Sequence, residues 1–142
     1  MKVNVLSRLG IITSDFLTNE DEIKNLLDQC GVKFYKISNG IVDVAGSISN
    51  DSIEKIIDAN GHFKVKFGKV GGAFDCSHCK NLTSLEGAPQ KVGGNFNCSS
   101  CDNITSLEGA PQKVGGDFKC RYCSKSIVKQ AIDLYGERKV AF

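Results

Sequence analysis

Lys91-Val92-Gly93-Gly94-Asn95-Phe96-Asn97-Cys98-Ser99-Ser100-Cys101-Asp102-Asn103-Ile104-Thr105-Ser106-Leu107-Glu108-Gly109-Ala110-Pro111-Gln112 is one 22-residue unit of a stretch that is written almost three times. The copy before it starts at Lys69 and closes on the same words, Thr83-Ser84-Leu85-Glu86-Gly87-Ala88-Pro89-Gln90. The copy after it opens Lys113-Val114-Gly115-Gly116 and abandons the pattern beyond Cys123. Phe74, Phe96 and Phe118 hold one fixed offset, and the cysteine pairs Cys76/Cys79, Cys98/Cys101 and Cys120/Cys123 hold two more. A fixed period of roughly 20 to 30 residues marks a solenoid, whose units bury their apolar faces only by stacking on neighbours. Within a unit, Phe96 and Cys98 are two apart on a strand and point into the core, so Asn97 faces out. Val92 and Leu107 complete the interior, while Gly109 and Pro111 turn the chain. Thr83 to Glu86 and Thr105 to Glu108 have the spacing of a capping box, which predicts one tight helical turn in each copy.

Outward from the repeats, Phe63, Val65 and Phe67 alternate as a short strand leading into them. Asp51 to Ala59 reads as a helix or irregular turn within a longer opening unit. Val32 to Ile37 and Ile41 to Val44, joined by Ser38-Asn39-Gly40, read as a hairpin. Val42 and Val44 align with the Phe and first-Cys positions of the later copies, which makes this strand the first rung. Thr18 or Asn19 caps a helix with an acidic first turn and an apolar face of Ile23, Leu26, Leu27 and Cys30, ended by Gly31. Residues 1–16 stay unassigned, although Gly10-Ile11-Ile12-Thr13 suits a short strand or an apolar anchor. On the other side, Ser126 opens an amphipathic run through Ile127, Val128, Ala131, Ile132, Leu134 and Tyr135. A terminal helix there would cover the last rung and its open sheet edge.

The fold class expected is α+β: a short β-solenoid with an N-terminal helix and hairpin and a C-terminal capping helix, in one domain spanning 1–142. Its parts are 1–45, an expanded first unit at 46–68, regular units at 69–123 and the cap at 124–142. A net charge of +2 on 142 residues, with Lys and Arg scattered, makes nucleic acid and anionic membranes unlikely partners. No secretory leader and no run of about 18 apolar residues is present, so a cytoplasmic protein is expected. Seven cysteines, an odd number without an export signal, point to reduced thiols.

Aligned on the leucine-rich repeat pattern, Phe96 and Cys98 take two strand-leucine positions, Cys101 takes the N/C position, and Ile104-Thr105 follows. The unit resembles a leucine-rich repeat. It resembles more closely the small leucine-rich-repeat-like proteins encoded in bacteriophage genomes, built on Val-Gly-Gly-x-Phe-x-Cys-Ser followed by Leu-Thr-Ser-Leu-Glu-Gly-Ala-Pro. Two departures stand out: the N/C position is Cys in every copy, and the third copy drops Thr-Ser-Leu-Glu. The resemblance implies a phage accessory protein that binds, and modulates or inhibits, a host protein, with a defence factor as one candidate class. It also implies that the columns changing between copies lie on the ligand-binding strand face.

Those columns are Ala73/Asn95/Asp117, Asp75/Asn97/Lys119, Ser77/Ser99/Arg121 and His78/Ser100/Tyr122. The expected partner-binding residues are therefore Asp75, His78, Asn95, Asn97, Asp117, Lys119, Arg121 and Tyr122. Lys119, Arg121 and Tyr122 crowd onto the last rung, and Arg and Tyr are enriched in interface hot spots. The plain alternative is a solvated polar face. The cysteine pairs read first as core ladders. A four-thiolate zinc site on Cys76, Cys79, Cys98 and Cys101 is the second reading, and would suit a nucleic-acid-binding module. Disulfide or redox chemistry is the third. His78 lies inside the first Cys pair, where a ligand or base would suit, but its counterparts Ser100 and Tyr122 mark an exposed surface position; His62 has no partner evident in the sequence, and no catalytic set or phosphate-binding loop is present. The expectation is a non-enzymatic interaction module without a cofactor, open to homo-oligomerisation, with small-molecule capture as a further alternative.

Overall fold

A computed structural model describes residues 16–142. The expectation for Gly10 to Thr13 lies outside the described residues. Among the described residues the architecture is α+β, with three α-helices and two sheets whose strands are mostly parallel.

Helix α1 (Glu20–Gln29) starts where the Asn19 side chain accepts a hydrogen bond from the Glu22 N–H, and Ile23 and Leu27 are fully buried on one face. Strands β1 (Tyr35–Ser38) and β2 (Ile41–Val44) form the hairpin. Its two-residue turn, Asn39-Gly40, has both residues at positive φ, as a type I′ turn requires. Asp28 ties helix to hairpin by accepting from the Tyr35 hydroxyl at 2.6 Å.

Helix α2 (Asn50–Glu54) is shorter than the segment marked in the sequence, and Ser49 caps it. Then β3 (Lys66–Val70), β4 (Phe74–Asp75), β5 (Lys91–Val92), β6 (Phe96–Asn97), β7 (Lys113–Val114) and β8 (Phe118–Lys119) alternate between two sheets. One sheet has the order β1-β2-β3-β5-β7; the other has β4-β6-β8-β9. Identical positions of successive copies pair in register: Val70 with Val92 and Val92 with Val114, Phe74 with Phe96 and Phe96 with Phe118. The side chains follow. Phe74, Phe96 and Phe118 stack face to face at 5.4 and 5.2 Å, and Cys76, Cys98 and Cys120 are fully buried beside them. Core ladders thus describe these cysteines.

Four expectations are corrected. Val42 and Val44 do not hold the Phe and first-Cys positions: Val42 pairs with Phe67 and Val44 with Val70, while Ile48 bridges to Phe74. Val44-Ala45-Gly46-Ser47-Ile48 is therefore the counterpart of Val70-Gly71-Gly72-Ala73-Phe74, and the extra length of this unit holds α2. No helical turn forms at 83–86 or 105–108. Ser84 and Ser106 instead accept from the N–H groups of Glu86 and Glu108, two residues on, while the Thr83 N–H bonds to the Gly61 carbonyl of the preceding rung.

The third correction concerns α3 (Lys125–Tyr135), which is capped by Ser124 and not Ser126, because the Ser124 Oγ reaches the Ile127 N–H. Its packed face carries Ile127 and Ala131, and Leu134 points to solvent. Fourth, the helix does not close the sheets by itself. After a 3-10 turn (Glu137–Lys139), β9 (Val140–Ala141) pairs in parallel with β8, Val140 opposite Phe118. Tyr135 lays its ring on Phe118 at 4.7 Å and donates to the Pro111 carbonyl. The Lys139 ammonium donates to the carbonyls of Val114 and Gly116, occupying acceptors on the edge of the other sheet.

Candidate functional site

Each Cys-x-x-Cys turn places one residue in the left-handed region: His78 at φ 59°, Ser100 at 57° and Tyr122 at 61°. Glycine or asparagine suits that conformation best, and a bulky side chain costs about 1 to 2 kcal/mol there. The backbone therefore does not explain a tyrosine at this position. Tyr122 is 86% exposed, and Arg121 beside it and Asp117 are also exposed, with Lys119 half-buried on β8.

The other residues of the expected binding face divide differently. Asp75 and Asn97 fold their side chains back to accept from the N–H groups of Ser77 and Ser99 at 2.9 and 3.0 Å. Asn95 accepts from the Asp117 N–H at 2.7 Å, one rung away. Ser77 and Ser99 are buried, and the Ser99 hydroxyl oxygen accepts from the Arg121 N–H. These polar residues already serve the rung-to-rung and turn hydrogen bonds. His78 is exposed beside Glu54, Lys80 and Asn81. The structure thus brings Lys119, Arg121 and Tyr122 together at one end and leaves Asp75, Asn95 and Asn97 in structural roles.

Sequence reasoning missed the neighbours that the cap supplies. A cavity of about 360 Å³ is lined by Cys123, Lys125, Val128, Lys129, Ile132 and Phe142, and Phe142 is 59% exposed. The signal available was Lys125 and Lys129, four apart on a helix that begins immediately after Tyr122 and Cys123. A second cavity, about 550 Å³, is walled by Thr83, Ser84, Ser106 and Glu108 beside His62. The His62 ring Nδ1 is buried without a hydrogen-bond partner, 4.0 Å from an Asp58 carboxylate oxygen. Its polar walls are unlike the mostly apolar lining of ligand pockets.

Among the described residues, no three His, Cys, Asp or Glu side chains meet as a metal-ligand set. Cys76, Cys79, Cys98 and Cys101 do not converge. The Cys101 thiol instead donates to the Cys76 carbonyl at 2.9 Å. The buried thiols of Cys76, Cys79 and Cys120 are held protonated. A thiol hydrogen bond with Cys101, then burial, pushes Cys76 well above the ordinary value of 9.0. Burial lifts Cys79 to about 12 and Cys120 to about 11. Cys123 runs the other way, to about 7, chiefly through its interaction with the neighbouring Cys98 side chain, helped by the backbone of Cys101 and Ser100; its own thiol donates to the Cys98 carbonyl at 3.3 Å.

A thiol whose pKa is raised by folding stabilises the native state below its unfolded value and loses that contribution as pH climbs through the folded value. The melting temperature is therefore expected to fall from about pH 9 toward pH 12 as Cys79 and Cys120 are forced to ionise in the core. Cys123 has the opposite sign, and its contribution fades as pH drops through about 7. Thermal melts across pH 7 to 12 check this; a flat profile above pH 9 contradicts it.

Compared with protein-family models, curated proteins and solved structures, the chain finds no match in any of the three. Among the described residues, no helix is long and apolar enough to cross a membrane.

Proposed function

We propose that the chain is a short leucine-rich-repeat-like solenoid that works without catalysis, presenting its last rung to a protein partner. The observation that carries this reading is Tyr122. It is 86% exposed in a backbone conformation that disfavours it, next to Arg121 and Lys119. The corresponding residues of the other rungs, His78 and Ser100, show that the turn accepts other side chains at that position. Lys125 and Lys129 extend the positive charge, and the cavity beside Phe142 offers an apolar recess. A partner with an apolar anchor ringed by acidic groups fits this end of the molecule.

The resemblance to phage-encoded repeat proteins extends the proposal: a phage accessory protein acting in the cytoplasm of an infected bacterium, where it binds and inhibits a host protein of a defence system. The test is capture from nuclease-treated bacterial lysate by the wild-type chain and by a Lys119→Ala, Arg121→Ala, Tyr122→Ala variant with matched melting temperature. One protein retained by the wild type and weakened about 30-fold or more by the variant is expected, since hot-spot residues carry about 2 kcal/mol or more each. Equal retention by both forms, or none by either, overturns the proposal.

A further inference from the structure

Lys69, Lys91 and Lys113 form the one column of exposed side chains that all three copies keep unchanged. Strand pairing sets them directly opposite one another, Lys69 with Lys91 and Lys91 with Lys113, so their backbones recur at about 4.8 Å. The row continues across the sheet. Asp43 on β2 accepts a hydrogen bond from the Lys69 N–H at 2.7 Å, and the exposed Lys36 on β1 lies opposite Asp43. Lys66, exposed at the start of β3 opposite Ile41, stands beside the row. At the far edge the Lys139 ammonium reaches the Val114 and Gly116 carbonyls. Lysines that are scattered in the sequence are thus gathered by the fold on one face, with Asp43 as the one carboxylate in the row among the described residues. The ion pairs of the described residues lie elsewhere, at Lys24 with Asp28 and His62 with Asp58.

Like charges directly opposite one another on paired strands destabilise a sheet, so stacking does not call for this row. Nor do these lysines serve only to guard an open edge, because β3 and β5 are interior strands. Gly71, Gly93 and Gly115, two residues on and also exposed, leave the surface beside the ladder free of side chains. Protein interfaces are depleted in lysine and rely on aromatic and arginine anchors. Phosphates need only the positive charge, since each contact releases condensed counterions. Single strands are held by stacking bases on aromatic rings, and the row offers none. We propose that Lys36, Lys69, Lys91 and Lys113 bind the phosphate backbone of double-stranded nucleic acid, irrespective of its base sequence. The ammonium groups act as point charges on the phosphates and read no base edge. The ladder lies on the sheet that does not carry Lys119, so this surface goes beyond the last-rung reading and either can fail alone.

Fluorescence anisotropy of the full-length chain with labelled duplexes, two DNAs of unrelated sequence and one RNA, tests this as salt is raised. Contacts to about four phosphates give a slope of log affinity against log salt of about −3.6, so binding weakens roughly 150-fold between about 50 and 200 mM. The two DNA sequences are expected to bind within about threefold of each other. Binding to either DNA or RNA supports the proposal, and the tighter of the two names the source of the phosphates. The Lys69→Gln, Lys91→Gln, Lys113→Gln variant is expected to bring the slope to about −1, since each phosphate contact carries about one unit. Its melting temperature is expected to equal or exceed that of the wild type, because repulsion along the ladder is relieved. The Lys119→Ala, Arg121→Ala, Tyr122→Ala variant is expected to keep the wild-type slope, which separates this surface from the last rung. Absence of binding to every duplex at low salt, an unchanged slope in the lysine variant, or stronger competition by polyglutamate or phosphatidylserine vesicles than by unlabelled duplex overturns the proposal.

Discussion

Phe96→Ala is expected to lower stability by about 3 to 5 kcal/mol, the cost of deleting a buried phenylalanine where the surroundings do not collapse. The ring of Phe96 is fully buried and sits between Phe74 and Phe118, nearly parallel to both at 5.4 and 5.2 Å. Removing it takes away both stacking contacts and leaves a void between two rungs whose backbones are hydrogen-bonded on either side. The spacing of the rungs is set by those ladders, so neighbouring side chains have little freedom to move in. Against a total of about 5 to 15 kcal/mol for a domain, the loss is large. A fall of roughly 10 to 20 °C in melting temperature is expected for a chain of this size. A fall under about 3 °C, measured by circular dichroism, would show that the aromatic column does not hold the rungs together.

Gly93→Ala is expected to cost about 2 to 4 kcal/mol, although alanine is the intrinsically better residue in most ordered backbone. A Cβ at Gly93 would lie 2.1 Å from the Gly71 carbonyl oxygen and 3.0 Å from its carbon, both backbone atoms of the rung below. Relief requires the rungs to part, which weakens the 2.9 Å bonds from Gly93 N–H to the Val70 carbonyl and from Gly94 N–H to the Gly72 carbonyl. Overpacking costs about 1 to 3 kcal/mol and each strained hydrogen bond about 1 kcal/mol. The reduced freedom of the unfolded chain returns only about 0.4 to 1 kcal/mol, so destabilisation wins. Ala45, at the corresponding place in the opening unit, shows that the position tolerates a methyl group where no rung crowds it. Equilibrium denaturation of Gly93→Ala checks this, and a stability equal to or above that of the wild type contradicts it.

The regular rungs were legible because Phe, Cys and Gly recur at one interval, and in-register stacking needs the same side chain at the same place in every copy. The opening unit was misaligned because its extra residues hide the match between Val44-Ala45-Gly46-Ser47-Ile48 and Val70-Gly71-Gly72-Ala73-Phe74. Strand β9 was invisible to periodicity, since Val140 and Ala141 make no pattern by themselves. Its register against Phe118 shows that the 22-residue period continues through the cap. At the candidate site, the grouping of Lys119, Arg121 and Tyr122 followed from comparing the copies. Variation between copies was a poorer guide at Asp75, Asn95 and Asn97, because different polar side chains can make the same backbone hydrogen bond. The half-exposure of Cys123 could not be read from spacing, which makes it equivalent to Cys79 and Cys101; it comes from the fold.

The proposal that the chain is a stack of interchangeable rungs is tested most directly by removing one. Deleting Lys91 to Gln112 joins Gln90 to Lys113, recreates the same local sequence and brings Phe118 onto Phe74 and the cap onto the shortened stack. The measurement is the thermal unfolding of this deletion variant. A single cooperative transition at a lower temperature than the wild type is the expected result, since stability in a stack is close to a sum over units and their interfaces. Loss of any cooperative transition would contradict the stack and show that the three copies are not equivalent rungs.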